Sequence, residues 1–200
     1  RPHFVTAKDW SNIRTICETV FSALQKVKDA AIEDDAILNE LGFTETEREL
    51  IRIEPGYSHV SPTSRLDSFL TDDSYSFVEL NGESPAGIAF ADSATKIFES
   101  LPVMKKFAER YRFSGLEGSS KMLDVLLSCH EEFLGRRPER APRIAIVDLE
   151  DLPTIKEFEL FRDFFRHDSR IFHHNRTDAP SFVLFHHRIQ QVRQNHGITD

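Results

Sequence analysis

Residues 65–87 contain two apolar-rich runs joined by a polar turn, and they constrain the fold more than any other part of the chain. Large apolar side chains lie on both sides of the turn: Leu66, Phe69, Leu70, Tyr75, Phe77, Val78 and Leu80. The four residues between the runs, 71–74, are polar and suit a tight connection. This arrangement predicts a β-hairpin.

The register of such a hairpin brings charged residues together. For a hairpin symmetric about Asp73, the predicted cross-strand pairs are Asp67 with Glu79, Arg65 with Asn81, and Phe69 with Phe77. Side chains alternate along a strand, so all six are predicted to share one face. Directly opposed Cβ atoms are about 4.5–5.5 Å apart, and like charges at that distance destabilise a sheet. A cation between the two carboxylates would remove this penalty.

Two interpretations of this polar face remain open. Asp67, Glu79 and Asn81 supply oxygen atoms of the kind that Mg²⁺ binds together with water and substrate phosphates. Arg65 on the same face could pair with phosphate oxygens or stabilise a transferred phosphoryl group. In the alternative, the residues form an exposed ion cluster in which Arg65 screens the two acids, and such clusters are common and weakly stabilising. Residue spacing alone does not separate the two.

Helical periodicity is present on both sides of the hairpin. The predicted helices cover residues 8–30, 35–41, 45–51, 88–100, 102–111 and a stretch that follows residue 119. The predicted caps are Thr6 for the first helix and a capping box of Thr44 with Glu47 for the third. Residues 114–121 weakly resemble a phosphate-binding loop, but the spacing differs and no strand precedes them. We therefore interpret Ser119 as a helix N-cap.

The segment 136–142 combines glycine, proline and charge, and it predicts a boundary between two units, 1–135 and 143–200. Residues 143–148 form a short continuous apolar run, and a helical pattern follows over 154–166. This order predicts a buried parallel strand that enters a helix, which is the beginning of an α/β unit.

The last 34 residues, 167–200, have a different composition, with six of the nine histidines and no Lys, Glu, Tyr or Trp. The doublets at 173–174 and 186–187 suggest a metal site, but adjacent side chains point in different directions and no Cys completes a ligand set. Residues 182–185 could form one more strand, but the simpler interpretation is a weakly ordered or truncated end.

Overall charge and apolar content exclude several classes of protein. The chain has 25 Lys and Arg against 33 Asp and Glu, and this net charge of −8 argues against non-specific binding of nucleic acid or anionic membranes. No apolar run approaches the roughly 20 residues that span a bilayer. Cys17 and Cys129 match no metal or redox spacing, which predicts reduced interior thiols. We expect a soluble, cytoplasmic protein.

Three short motifs in and after the hairpin resemble a known family. Residues 65–67 read R-L-D, residues 79–81 read E-L-N, and residues 85–87 read P-A-G. This series is similar to the metal-binding end of ATP-grasp carboxylate–amine ligases. The resemblance implies the cofactors Mg²⁺ and ATP, and small carboxylate and amine substrates.

The resemblance also assigns roles to residues of the polar face. It implies that Asp67, Glu79 and Asn81 are magnesium ligands and that Arg65 contacts phosphate and positions the acyl-phosphate. It further implies that Asn81 contacts the nucleotide through the metal, and that the segment after it lines the acceptor site.

The order of the motifs is similar to that of circularly permuted ATP-grasp proteins related to glutathionylspermidine synthase. The implied fold is α+β, with an ATP-grasp-like hairpin and packed helices followed by the start of a Rossmann-like unit at residues 143–148 and 153–159. The resemblance covers residues 1–166, and nothing after Arg166 matches the family's continuation. We therefore expect an incomplete ligase that could associate with another chain. The alternatives are an inactive remnant that acts as a binding module, or a metal-dependent hydrolase using His59.

Overall fold

The computed structural model describes residues 2–58, 61–71, 73–82, 84–139, 142–148 and 152–171, together with the backbone of 182–186. Helices and strands are mixed, so the fold class is α+β as predicted. The chain divides into two compact units, Arg1–Glu83 and Ser84–Asp200. This division falls at a different place from the predicted linker at 136–142.

The first unit begins with three helices: α1 (Ala7–Glu33), α2 (Asp35–Glu40) and α3 (Glu45–Leu50). The Thr6 hydroxyl caps α1 by accepting a hydrogen bond from the backbone N–H of Asp9 at 3.1 Å. Thr44 and Glu47 form the predicted capping box at the start of α3, with both reciprocal hydrogen bonds present. These helices and caps confirm the sequence predictions. The hairpin follows as strands β1 (Arg65–Leu70) and β2 (Tyr75–Asn81).

The second unit contains four helices and two strands: α4 (Ile88–Ser100), α5 (Pro102–Ala108), α6 (Gly118–Leu134), β3 (Ile144–Asp148), α7 (Ile155–His167) and β4 (Phe182–His186). Pro102 occupies the first turn of α5, where a backbone N–H has no acceptor within the helix, so the N–H that proline lacks costs no hydrogen bond. A buried core joins α4, α6, α7 and the turn after α7: Ala89, Leu123, Phe161, Phe165 and Ile171.

β3 and β4 pair in parallel, with Ile144 opposite Phe182 and Asp148 opposite His186. Helix α7 lies between them in sequence, so the predicted strand-to-helix order is confirmed, and residues 182–186 form the additional strand. The predicted burial of β3 is wrong, because none of its residues is buried and Val147 is 63% exposed. Of residues 172–200, only the backbone of 182–186 is described. The histidine doublet at 173–174 lies outside the described residues. The metal interpretation of the tail therefore stays a prediction.

The start of α6 differs from the prediction, because Ser119 is not its N-cap. The helix begins at Gly118, and its first amides are capped from α4: the Asp92 carboxylate accepts from Gly118 N–H at 2.9 Å and from Ser119 N–H at 2.7 Å. A carboxylate from another helix thus performs the capping role, and Ser119 itself is buried. Sequence patterns close to α6 do not reveal a cap that lies more than twenty residues away.

Replacing Asp92 with Ala is expected to destabilise the protein by about 1–3 kcal/mol, because two amides at the start of α6 lose their acceptor. Urea denaturation followed by circular dichroism measures the effect. Asp163→Ala removes an exposed carboxylate on α7 whose one ion-pair partner among the described residues is its neighbour Arg162, and it is the matched control. Equal denaturation midpoints for the two variants would show that the Asp92 cap contributes little.

The structure bears on two expectations from composition, which concern membrane-spanning helices and the two cysteines. Among the described residues, no helix is both long and apolar enough to span a membrane. Both cysteines are free; Cys129 is buried as predicted, and Cys17 is only partly buried. Burial raises the pKa of the Cys129 thiol, which favours its protonated form.

Candidate functional site

The hairpin has the predicted register at its open end. Arg65 lies opposite Asn81, and Asp67 lies opposite Glu79. Since side chains two residues apart on a strand share a face, these two cross-strand pairs put all four polar side chains on one side of the hairpin. We call Arg65, Asp67, Glu79 and Asn81 the hairpin cluster.

Beyond Asp67 the predicted register is wrong, because a β-bulge shifts the pairing by one residue. Ser68, rather than Phe69, lies opposite Phe77, and Phe69 lies opposite Ser76. Val78 is the extra residue of β2, which a symmetric hairpin does not contain. The predicted Phe69–Phe77 pair therefore does not form, and Phe77 does not share a face with the hairpin cluster.

The two faces of the hairpin differ chemically. On the face opposite the hairpin cluster, the Ser68 hydroxyl donates to the Tyr75 hydroxyl at 2.9 Å, and the rings of Tyr75 and Phe77 lie 4.8 Å apart. The Tyr75 hydroxyl also lies 3.6 Å from Cys17 Sγ on α1. Burial raises the pKa of Tyr75, so this face is a packing surface against α1. The charged cluster is left on the other face.

Within the hairpin cluster, residues on the same strand are hydrogen-bonded to each other. Arg65 donates from Nε to Asp67 Oδ1 at 2.6 Å and from Nη2 to Asp67 Oδ2 at 3.3 Å. Asn81 donates from Nδ2 to Glu79 Oε1 at 3.1 Å. The Arg65 and Asp67 side chains are 45% and 36% exposed, so a ligand from solvent can reach them.

The charge on Asp67 depends mainly on Arg65. The hydrogen bond from the guanidinium lowers the pKa of Asp67 below its ordinary value. Asp67 is therefore held in the ionised form, which is the form that binds a cation. The same guanidinium donates to both oxygens of the carboxylate, so a metal ion would have to use the remaining lone pairs or displace it.

The donor atoms of the cluster fit a magnesium ion in type. Asp67 and Glu79 offer carboxylate oxygens and Asn81 an amide oxygen, which are hard ligands suited to Mg²⁺. Among the described residues, no group of three or more His, Cys, Asp or Glu side chains is arranged to hold a metal. The cluster is thus a partial set that leaves coordination positions for water or phosphate oxygens. His59, the residue considered for a hydrolase, lies outside the described residues.

Sequence reasoning assigned no separate role to Glu157, which is the most deeply buried charged residue described, at 1% exposure. It lies on the first turn of α7, and its carboxylate accepts from Gly87 N–H at 2.8 and 2.9 Å and from Ala89 N–H at 2.8 Å. It therefore caps the start of α4. A signal was present in the sequence: Glu157 shares a four-residue spacing with the buried Phe161 and Phe165 and so lies on the apolar stripe of its helix.

Comparisons of the chain with protein families, with curated proteins and with solved structures find no match. The interpretation of the hairpin cluster accordingly rests on its residues and their geometry.

Replacing Arg65 with Gln is expected to raise the pKa of Asp67 towards its ordinary value, because the guanidinium is the main cause of the lowering. NMR titration of the Asp67 side-chain carboxyl carbon measures the change. Since the folded-state pKa lies below that of the unfolded chain, the pair contributes to stability above the unfolded-state pKa, and this contribution is lost as the pH falls through the folded-state pKa. Arg52→Gln, on the same unit, should leave the titration unchanged.

Proposed function

We propose that the chain is part of an ATP-dependent carboxylate–amine ligase of the circularly permuted ATP-grasp type, and that its hairpin cluster binds Mg-ATP. The observation that carries the proposal is the register, which places Asp67 opposite Glu79 and Arg65 opposite Asn81 on one exposed face. Two carboxylates, an amide and a guanidinium are the groups that a metal–phosphate ligand requires.

Each residue of the cluster has a distinct part in this proposal. Asp67, Glu79 and Asn81 would hold Mg²⁺, which neutralises charge on the ATP phosphates when bound. Arg65, released from Asp67, would donate hydrogen bonds to the phosphoryl group in transfer. Because its guanidinium already lies beside the carboxylates, it needs only a side-chain rotation to exchange one oxyanion partner for another.

The proposed reaction has two steps. A substrate carboxylate oxygen attacks the γ-phosphorus of ATP, the bond to the β-phosphate oxygen breaks, and ADP leaves. An amine then attacks the acyl carbon of the acyl-phosphate, loses a proton to solvent, and expels inorganic phosphate to give an amide. Small carboxylate and amine metabolites would be the substrates, and we place the reaction in the cytoplasm.

The parallel β3–α7–β4 arrangement supports the finer description of the second unit as Rossmann-like. Parallel strands joined through a helix are the building unit of such folds. In an ATP-grasp ligase, a unit of this type would contribute substrate-binding surface.

Trapping with hydroxylamine tests the ligase activity. The full chain is incubated with Mg-ATP, hydroxylamine as the amine, and a panel of carboxylic acids, and hydroxamate and ADP are measured together. The proposal predicts equal amounts of both products with at least one acid, and loss of both in Arg65→Ala. Nucleotide binding at the cluster without hydroxamate from any acid would contradict the catalytic part of the proposal.

One observation favours a second candidate, a non-catalytic binding module. Two hydrogen bonds join Arg65 to both carboxylate oxygens of Asp67, which is the geometry of a structural ion pair. In that case the cluster would bind nucleotide weakly or not at all, and neither the unaltered chain nor Arg65→Ala would release ADP.

A further inference from the structure

The stretch 105–113, which reads KKFAERYRF, combines positive charge with aromatic rings in the second unit. It covers the last turn of α5 and the segment that follows it. Its basic residues are Lys105, Lys106, Arg110 and Arg112, and its only acidic residue is Glu109. The stretch is therefore positively charged in a chain whose net charge is −8.

The three aromatic residues of the stretch pack together in what we call the aromatic platform, in which Phe107 and Tyr111 are stacked and Phe113 is tilted against Phe107. The rings of Phe107 and Tyr111 are nearly parallel, with centroids 4.6 Å apart and an interplanar angle of 23°. Phe113 contacts Phe107 at 5.8 Å. Tyr111 nevertheless remains 58% exposed, because Phe107 covers only one side of its ring. The Tyr111 ring is therefore exposed to solvent while its packing against Phe107 fixes its orientation.

An open cavity of about 450 Å³ lies at this platform, lined by Glu99, Ala108, Tyr111, Arg112 and Phe113. The cavity is open to solvent, so it leaves the Tyr111 ring accessible without enclosing a ligand. Glu99 places a hydrogen-bond acceptor on the wall, suited to a base N–H group such as N3–H of thymine.

The cations beside the cavity are available to a ligand. Within the part of the chain that the structure describes, the side chains of Lys105, Arg110 and Arg112 form no ion pair, whereas Lys106 pairs with Glu109 at 3.1 Å. Exposed charges farther away than about 8 Å are largely screened at physiological ionic strength. The acidic surface elsewhere therefore does little to offset the local attraction for phosphates.

We propose that this platform binds single-stranded nucleic acid, with one base stacked on Tyr111 and neighbouring phosphates paired with Arg110 and Arg112. Stacking on an aromatic ring combined with cations along the backbone is how single strands are bound without sequence preference. Lys105, Arg110 and Arg112, which form no ion pair among the described residues, can pair with more than one phosphate, and this favours an oligonucleotide over a nucleoside monophosphate. The site is separate from the hairpin cluster and needs no metal.

Fluorescence anisotropy of a labelled 12-nucleotide oligo-dT in EDTA tests the proposal on the full chain. Tyr111→Ala is expected to weaken binding at least about fivefold, and Tyr111→Phe, which keeps the ring, should stay within about twofold. The Arg110→Ala, Arg112→Ala variant should reduce the slope of log K against log salt by about 1.4, or about 0.7 for each phosphate that the protein no longer neutralises. Lys121→Ala, Lys156→Ala is the matched control with the same change in charge, and it should keep the slope.

Several outcomes would overturn the proposal. The first is that Tyr111→Ala leaves oligo-dT binding unchanged. The second is that a 12-base-pair duplex binds as tightly as oligo-dT, and the third is that AMP competes as well as the oligonucleotide does. Circular dichroism checks that every variant is folded. Because EDTA removes divalent metal, failure here leaves the Mg-ATP proposal unaffected, and failure of that proposal leaves this one unaffected.

Discussion

Glu157→Ala is expected to destabilise the protein by about 3–5 kcal/mol, the largest effect on stability that we predict for a single substitution. The substitution leaves the N–H groups of Gly87 and Ala89 without the carboxylate that accepts from both. It also opens a cavity in the core, because Glu157 is almost fully buried. Urea denaturation gives the free energy of unfolding, and hydrogen exchange of the amides at the start of α4 shows where protection decreases.

Two further variants separate capping from general effects of substitution. Glu157→Gln keeps one oxygen that can accept from both amides, so it should cost only about 1–2 kcal/mol. Glu159→Ala lies on the same helix, removes an exposed carboxylate paired with Lys156, and should cost less than about 1 kcal/mol. If Glu157→Ala and Glu159→Ala unfolded at the same urea concentration, the cap would not be a main support of α4.

The double variant Asp67→Asn, Glu79→Gln is expected to weaken binding of Mg-ATP at least about a hundredfold. Each change removes a charged oxygen ligand and leaves a neutral amide, and a loss of about 1.4 kcal/mol at each position already multiplies to that factor. Isothermal titration calorimetry measures the affinity. The variant should fold, because removing the opposed like charges relieves repulsion across the hairpin.

The control for this double variant changes the same charges elsewhere in the first unit. Asp73→Asn alters the turn at the other end of the hairpin, and Glu49→Gln alters an exposed position of α3. Together they should leave Mg-ATP affinity within about twofold. A similar loss in both double variants would mean that net charge, rather than the hairpin cluster, governs binding.

Local patterns in the sequence predicted the helices and the open end of the hairpin well. The capping box of Thr44 and Glu47 and the cap at Thr6 involve residues three apart, so their physical cause is contained in the sequence around them. The pairing of Asp67 with Glu79 likewise followed from the position of a short turn. Prediction was accurate where the partners of a residue lie nearby along the chain and the pairing is regular.

Features that depend on distant or irregular contacts were missed. Symmetric pairing failed beyond Asp67 because nothing in the local sequence distinguishes Val78, the bulged residue, from its neighbours. The caps of α4 and α6 come from Glu157 and Asp92, and only tertiary packing brings these carboxylates to the helix starts. An acid on an apolar stripe, as at Glu157, is the pattern that signals such a cap.

The most direct test of the central claim is NMR of the full chain with Mn²⁺-ATP in place of Mg-ATP. Paramagnetic broadening should be strongest for the backbone amides of 65–67 and 79–81, because the metal would lie between their side chains. The Asp67→Asn, Glu79→Gln variant should lose this selective broadening. Broadening that is uniform along the chain, or strongest away from these six residues, would contradict the assignment of the hairpin cluster as a metal–nucleotide site.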